Sequence, residues 1–247
     1  MRVWIVLPAY NEAENLPAIF HGIVRLAAEN PQLEPHVVLV DDGSRDGTLA
    51  LAREAAKTLP MEILENGVNR GLAETFARGM TAAASLAADE DVLVCMDADN
   101  SHLPGEIPRM LQRLREGLDV VIASRYRKGA VIRGVSLLRR WLSGGMSLLF
   151  RLAYPVPGVR DYSCGYRAYA AGFFKAALAR RGEGLFVKEG FACMVGMLLR
   201  LHKQGAIFGE VPMVLRYDQK AGPSKMKLGG TILKTLGVLL RERFGKP

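Results

Sequence analysis

The stretch Asp91–His102, DVLVCMDADNSH, decides the fold. A short apolar run ends abruptly in two aspartates two positions apart, and Pro104 opens a helix-like segment just beyond. Such a run, bounded by polar turn residues, reads as a strand buried on both faces. The same pattern occurs earlier in the chain. Val3–Leu7 runs into Pro8-Ala9-Tyr10-Asn11-Glu12, His36–Val40 into Asp41-Asp42-Gly43-Ser44, and Met61–Leu64 is a further short strand. Val120–Ser124 repeats it downstream. Helical segments fill the gaps, at 12–28, 47–57, 71–87 and 104–116; in the first, Leu16, Ile19, Phe20, Ile23 and Leu26 recur at helical spacing.

Strands alternating with helices at this spacing predict an α/β fold, a mostly parallel Rossmann-like sheet with helices on both faces. Right-handed crossovers place the strand C-termini on one edge, where ligands of such sheets bind. The polar clusters 8–12, 41–46 and 97–101 therefore converge there. The second half predicts a helix over 135–152, a Pro/Gly loop at 154–165 and a long apolar helix over 186–202. A β-like stretch follows at 207–217, then a polar loop at 222–227 and a final helix over 231–244. No repeat, low-complexity tract or linker divides the chain.

The 247 residues carry 33 Lys+Arg against 25 Asp+Glu, a net charge of +8, with 49 % hydrophobic and 23 % charged residues. This composition excludes disordered, collagen-like and coiled-coil classes. Cys95, Cys164 and Cys193 lack CxxC spacing, which excludes a disulfide framework or a cysteine zinc site and suits a reducing compartment. The charge is concentrated. Residues 125–140 hold Arg125, Arg127, Lys128, Arg133, Arg139 and Arg140 with no acid, a net +6. Residues 216–247 hold another +6, leaving the rest at −4. Two basic segments on a slightly acidic chain suggest a polyanion: phosphate, nucleic acid or an anionic membrane face. No apolar run approaches the roughly 20 residues of a membrane span. The N-terminus does not continue as a signal peptide, so the chain is expected to be intracellular.

Asp97 and Asp99 offer oxygen ligands at one locus, the preference of hard cations that share a site with substrate phosphates. Alternatively Asn100 or Ser101 caps the following helix. Asp41 and Asp42 stand where an acid accepts hydrogen bonds from a ribose or base. Neither GxGxxG nor GxxxxGK[ST] occurs, which argues against a dinucleotide dehydrogenase and a P-loop NTPase. A diphosphate bound without either loop needs a metal to screen it. Asn69 lies in a turn that either contacts a nucleotide or caps a helix. His102, beside the aspartates, is a candidate substrate contact.

PAYNE at 8–12, VDDGSRDGT at 40–48, NRGL at 69–72, MDADNSH at 96–102, ASRY at 123–126, RRWLS at 139–143 and GYRAY at 165–169 occur in order over nearly the whole chain. In this the sequence resembles the inverting family-2 glycosyltransferases of GT-A fold, most closely their dolichol-phosphate mannosyltransferase (polyprenyl-phosphate glycosyltransferase) branch. The resemblance implies that Pro8, Tyr10, Glu12 and Asp42 surround a nucleotide-sugar donor, beside the candidate contacts Asp41, Asn69 and Asp97. It implies Asp97 and Asp99 on Mg²⁺ or Mn²⁺, with Ser101 a poor third ligand. It places Arg125, Arg139 and Ser143 on the acceptor phosphate. Gln219 stands where many members have an arginine, so Lys220 or Arg216 would supply that charge beside Ser224 and Lys225.

The implied reaction moves a hexose, with mannose from GDP-mannose the first expectation, to a polyprenyl phosphate. UDP-glucose as donor and a hydroxyl acceptor remain alternatives. A phosphate acceptor is already ionised near neutral pH and needs no strong base, whereas a hydroxyl acceptor would. Asp161 and Glu189 are the candidate acid/base residues, although Asp161 could instead pair with Arg167. A single catalytic domain is expected: a nucleotide-sugar half at 1–125, an acceptor half at 126–227, and a basic amphipathic helix at 228–247. That last helix, with Ile232, Leu233, Leu236, Leu239 and Leu240 as its apolar stripe, either packs on the domain or lies on lipid. The expected location is cytoplasmic and peripheral, on the inner face of a membrane, directly or through a membrane-protein partner. Nucleic acid is not an expected partner.

Overall fold

The computed structural model describes residues 1–222 and 228–244, the latter with side chains from Leu233 to Arg243. The apolar runs become the strands β1 (Arg2–Ala9), β2 (Glu34–Asp41), β3 (Met61–Glu65), β4 (Val92–Cys95) and β5 (Val120–Ser124). Between them lie α1 (Leu16–Glu29), α2 (Thr48–Ala55), α3 (Leu72–Leu86) and α4 (Ile107–Arg115). Val3–Leu7, Val92–Cys95 and Val120–Ser124 are wholly buried, as strands covered by helices on both faces must be.

Downstream come β6 (Val131–Arg133), α5 (Leu137–Ala153), β7 (Arg167–Ala170), α6 (Ala171–Arg181), α7 (Cys193–Lys203), β8 (Phe208–Pro212), β9 (Val214–Arg216) and α8 (Leu228–Phe244). The sheet has the order β3-β2-β1-β4-β7-β5-β8, and β6 pairs with β9 in a separate parallel ribbon. The predicted β-like segment 207–217 is thus two strands in two sheets, divided at Met213.

β7 departs from expectation: it runs antiparallel between β4 and β5, pairing Cys95 with Arg167 and Ile122 with Arg167. Its direction has a consequence for the site. The segment entering β7, residues 161–166, is delivered to the edge where β4 and β5 end. A methyl placed on Gly165 would lie 3.4 Å from Asp97 Oδ1.

The predicted helix over 186–202 is shorter than expected. Gly190 adopts φ +51°, a conformation that favours glycine, and a 3-10 turn at 190–192 leads into α7 only at Cys193. The final helix packs on the domain through Thr235, Val238, Leu239 and Glu242, with Glu242 accepting from Arg200 Nε at 2.7 Å and Lys203 Nζ at 3.0 Å. Leu233 and Leu240, assigned to its apolar stripe, face outward. The buried stripe is therefore rotated from the expected one, and Ile232 lies outside the described side chains.

α3 crosses β1 and β2 at Gly79, where a methyl would meet Val6 Cγ1 at 2.6 Å and Val40 Cγ2 at 2.9 Å. Gly79→Ala is expected to cost about 1–3 kcal/mol through overpacking, more than the roughly 0.5–1 kcal/mol that alanine returns in helix propensity. A lower urea midpoint with unchanged slope is the expected result. An unchanged midpoint would mean a looser helix–sheet contact.

Candidate active site

Three strand ends form the floor of the site. After β2, Asp42 is buried and fully engaged. Its Oδ1 accepts from Asn66 Nδ2 and the Arg70 amide, both at 2.8 Å, and its Oδ2 from the Gly71 amide at 2.9 Å. Asp42 therefore shapes the 66–71 loop. Gly71 is the cap of α3, and Asn69 is exposed and caps nothing. Asp41 differs: its Oδ2 accepts from the Ser44 amide at 3.2 Å, while its Oδ1 is buried with no hydrogen-bond partner among the described residues.

After β1, Glu12 accepts from Asn15 Nδ2 at 2.7 Å, and Asn15 Oδ1 accepts from the Ala221 amide at 3.0 Å. This ties the chain after β9 to the loop after β1. Glu12, Asn15, Asp46 and Lys220 line the resulting cleft of about 270 Å³. Pro8 is the penultimate residue of β1, and Tyr10 follows at its end.

After β4, the two aspartates are set apart by their surroundings. Asp99 is buried and accepts from the Ser101 hydroxyl and the Lys220 ammonium, each at 2.5 Å, and from the Ser101 amide at 3.1 Å. Burial would raise its carboxyl, but His102, Lys220 and the Ser101 hydrogen bond outweigh burial and hold it below the usual range. Loss of hydration raises the Asp97 carboxyl; His102 pulls it back and Asp99 adds to the rise. Asp97 keeps 42 % of its side chain open, so it is the accessible member of the pair. His102 Nδ1 accepts from the Asp97 amide at 3.0 Å, which in the neutral ring leaves the proton on Nε2, 3.8 Å from Asp97 Oδ2. The His102 ring stacks on Tyr166 at 5.0 Å. Neither Asn100 nor Ser101 caps the following helix, which starts as a 3-10 turn after Leu103.

A basic and hydroxylic wall faces these carboxylates. Arg139 Nη1 donates to Tyr217 Oη at 3.2 Å, and its guanidinium lies 5.3 Å from the Tyr217 ring. Lys220 Nζ lies 5.3 Å from the same ring. Tyr217 thus links the acceptor-side arginine to the lysine on Asp99. Ser143 Oγ is 2.7 Å from Tyr126 Oη. Arg125 is held by Asp161 through Nε at 2.8 Å and Nη2 at 2.7 Å, and Nη2 also donates to Ser163 at 2.8 Å. Ser224 and Lys225 lie outside the described residues.

Several sequence expectations change here. Asp161, a candidate base, is wholly buried and accepts four hydrogen bonds, three from Arg125 and one from the Cys164 amide. It pairs with Arg125, not Arg167, whose guanidinium donates to the carbonyls of Tyr162, Cys164 and Met194. Glu189 precedes a 3-10 turn instead of opening a long helix, and it pairs with Arg241 of α8. Lys220, expected beside the acceptor phosphate, sits on Asp99. Arg216 pairs with Asp218 at 3.0 Å. The three cysteines are buried and free, with Cys164 and Cys193 pushed up to about 12 by burial. Tyr126, Tyr217, Asn15 and Ser163 were not anticipated. The aromatic residues flanking the basic segments were the available signal for the first two.

Residues 4–176 match the sequence model of Glycosyl transferase family 2. The chain belongs to glycosyl transferase family 2. This transferase is 34 % identical over 91 % of its length to a polyprenol monophosphomannose synthase of Mycolicibacterium smegmatis, covering 81 % of that protein. It is 34 % identical over 93 % of its length to an undecaprenyl-phosphate mannosyltransferase of Micrococcus luteus, covering 89 % of that one. Among solved structures, a mannosyltransferase of Pyrobaculum calidifontis in complex with GDP-Man and Mn²⁺ superposes with a TM-score of 0.63 at 21 % identity, covering 99 % of this chain and 64 % of that one. The transferase therefore has the GT-A fold.

The residues present fit a divalent cation in that fold. Among the described residues no cluster of three acids, histidines or cysteines forms a complete metal cage. Asp97 and Asp99 instead offer a two-carboxylate set of the kind that Mg²⁺ or Mn²⁺ uses when substrate phosphates complete its shell. Asp99 already accepts one cationic group, the Lys220 ammonium. Ser101 spends its hydroxyl proton on Asp99.

Arg125 and Asp161 give this transferase an acid-sensitive element. Burial raises the Asp161 carboxyl, but Arg125 and the hydrogen bonds outweigh it and hold it below the usual range. The folded value lies under the unfolded one of about 3.9, so the pair's stabilisation is present above that range and is lost as pH falls through the folded value. Asp161→Asn is expected to cost roughly 3–5 kcal/mol near pH 7 and to flatten the acid limb of stability. Urea melts between pH 7 and pH 2 measure this; an undiminished acid limb would assign it to other carboxylates.

Proposed function

We propose that the chain transfers a mannosyl group, with GDP-mannose the first candidate donor, to a polyprenyl phosphate at an anionic membrane surface. The observation that carries this reading is the link Asp99–Lys220–Tyr217–Arg139, which joins a two-carboxylate donor end to a basic acceptor wall. The names of the mycobacterial and Micrococcus relatives support a polyprenyl-phosphate acceptor and mannose as the sugar. The bound GDP-Man and Mn²⁺ of the Pyrobaculum enzyme support the donor class and a divalent cation.

The chemistry fits the groups present. An oxygen of the ionised acceptor phosphate attacks the anomeric carbon as the bond from that carbon to the diphosphate oxygen breaks. The nucleoside diphosphate leaves with the electron pair, the configuration inverts and no proton moves. A divalent cation bound at Asp97 and Asp99 would neutralise the departing diphosphate. Arg139 holds the attacking phosphate by charge-assisted hydrogen bonds, with Ser143 beside it on the same helix. The orphaned Asp41 Oδ1 is an acceptor for a base N–H or ribose hydroxyl, and satisfying it offsets a buried polar cost. Asp161, expected as base for a hydroxyl acceptor, is spent on Arg125, which favours the phosphate over the hydroxyl.

Incubation with Mg²⁺, polyprenyl phosphate and labelled GDP-mannose or UDP-glucose is expected to carry label into the organic phase from GDP-mannose. Label from UDP-glucose alone would reassign the donor, and none from either would overturn the lipid acceptor. Arg139→Ala is expected to lower kcat/KM for the acceptor by roughly 10²–10³-fold while metal-dependent GDP binding, read by calorimetry, stays within about two-fold. Equal loss of both would place Arg139 on the donor.

A further inference from the structure

Arg139 sits on a stretch of helix that apolar packing does not hold. The buried residues of α5 are Ser147 and Phe150, both in its second half. No residue from Leu137 to Gly145 is buried, and Leu137, Leu138, Leu148 and Leu152 form an exposed strip on the side away from Arg139. A helix start with so little burial is held only as well as its polar contacts hold it. The Ser136 hydroxyl accepts from the Arg139 amide at 3.4 Å, and Ser143 meets Tyr126. The Arg139 side chain itself rests on Tyr217.

Tyr217 is fixed from three sides. β9 runs parallel to β6 with Arg216 beside Arg133, which sets Tyr217 beside Gly134 on the way into α5. Gly134 has φ +76°, and a methyl there would lie 2.8 Å from the Tyr217 carbonyl carbon, so the close approach of the two chains requires glycine. The Arg216 amide donates to the Ser101 carbonyl at 3.0 Å, in the loop that carries Asp97 and Asp99. The Ala221 amide donates to Asn15 after β1, and the Arg216–Asp218 pair closes the turn between these anchors. The ring thus stands where supports from the donor end and from the start of α5 meet.

Two cations share that ring. The Arg139 guanidinium and Lys220 Nζ each lie 5.3 Å from its centroid, so they are at most twice that distance apart. The face of the ring attracts both, its hydroxyl accepts from Arg139 Nη1 at 3.2 Å, and Asp99 balances the ammonium. We infer that Tyr217 is a positioning residue for the transfer. Its ring seats the Arg139 guanidinium at a set offset from Lys220 and Asp99, so that an acceptor phosphate on Arg139 is in register with the donor end. A guanidinium seated beforehand loses less freedom when it binds. The inference rests on the phosphate-acceptor reading and adds a residue that acts through Arg139.

Kinetics with Mg²⁺, GDP-mannose and a short, water-soluble prenyl phosphate test it. Tyr217 is only partly buried, so Tyr217→Leu empties no core, and an unchanged thermal melt checks this. Tyr217→Leu is expected to raise the acceptor KM about ten-fold. Tyr217→Phe keeps the ring against both cations and is expected to stay within about three-fold of the wild type. Lys220→Met bares Asp99, which then draws Arg139 off the ring, and is expected to raise the acceptor KM as well. Combined with Tyr217→Leu, it is expected to add less than the product of the two single effects, because both act on one seat. An unchanged acceptor KM in Tyr217→Leu, a Tyr217→Phe enzyme as impaired as Tyr217→Leu, no effect of Lys220→Met, or effects that multiply would each overturn the inference while the wild type still turns over. A wild type that uses no prenyl phosphate would instead overturn the proposed acceptor, and this role with it.

Discussion

Two carboxylates held at the end of a buried strand require counter-charge, and much of the site is arranged to provide it. β4 is wholly buried, so Asp97 and Asp99 emerge from it with little freedom to move apart. Like charges so close disfavour joint ionisation unless cations lie near. Lys220 answers for Asp99 from 121 positions downstream. His102 lies within reach of both and is fixed by the Asp97 amide and the Tyr166 ring. The segment after β9 is held over the site by this demand, because Lys220 and the Ala221 amide anchor it to Asp99 and Asn15. A divalent cation held by Asp97 and Asp99 would share the Asp99 carboxylate with the Lys220 ammonium, and would supply counter-charge to the same pair.

The pair of Arg125 and Asp161 answers a different need. Burying an ion pair is weak evidence of stability, because desolvation cancels much of the attraction. Its value here is positional. Asp161 takes the backbone amide and two guanidinium nitrogens of Arg125, so the chain leaving β5 and the loop entering β7 are fixed to one another. Glu210 of β8 reinforces the same loop by accepting from the Arg160 and Asp161 amides at 2.6 Å each. A carboxylate so occupied is not a base, and the site offers Asp161 no part in accepting a proton. An ionised phosphate acceptor needs no such group.

The parts of the fold legible in the sequence are those decided locally. Continuous apolar runs such as Val92–Cys95 announce buried strands, and the polar residues after them announce the binding edge. The antiparallel β7 was not legible. Arg167–Ala170 is four residues long, lacks a strand pattern, and becomes a strand only because Leu93 and Val121 lie on either side to pair with it. The long apolar helix failed at Gly190, where one left-handed residue outweighs apolar continuity. The placement of Asp97 and Asp99 at the end of a buried strand, and of Arg139 on a helix, was legible from motif and position. The partners of Asp161, Glu189 and Lys220 were not, because each is an arginine or aspartate 36, 52 or 121 positions away.

α5 shows why charge and hydropathy patterns identify an amphipathic helix without saying which way it faces. Periodicity fixes the two faces of a helix but not which of them meets the protein. In an ordinary surface helix the apolar face goes inward, since burial removes it from water. In α5 the inward face combines apolar packing by Phe150 and Met146 with hydrogen bonds: Ser143 to Tyr126, Ser147 to the Arg160 carbonyl, Arg139 to Tyr217. Turning the leucines inward would strand those polar partners and remove the arginine from the site. The exposed strip is therefore the consequence of turning these hydrogen-bonding groups inward on the same helix.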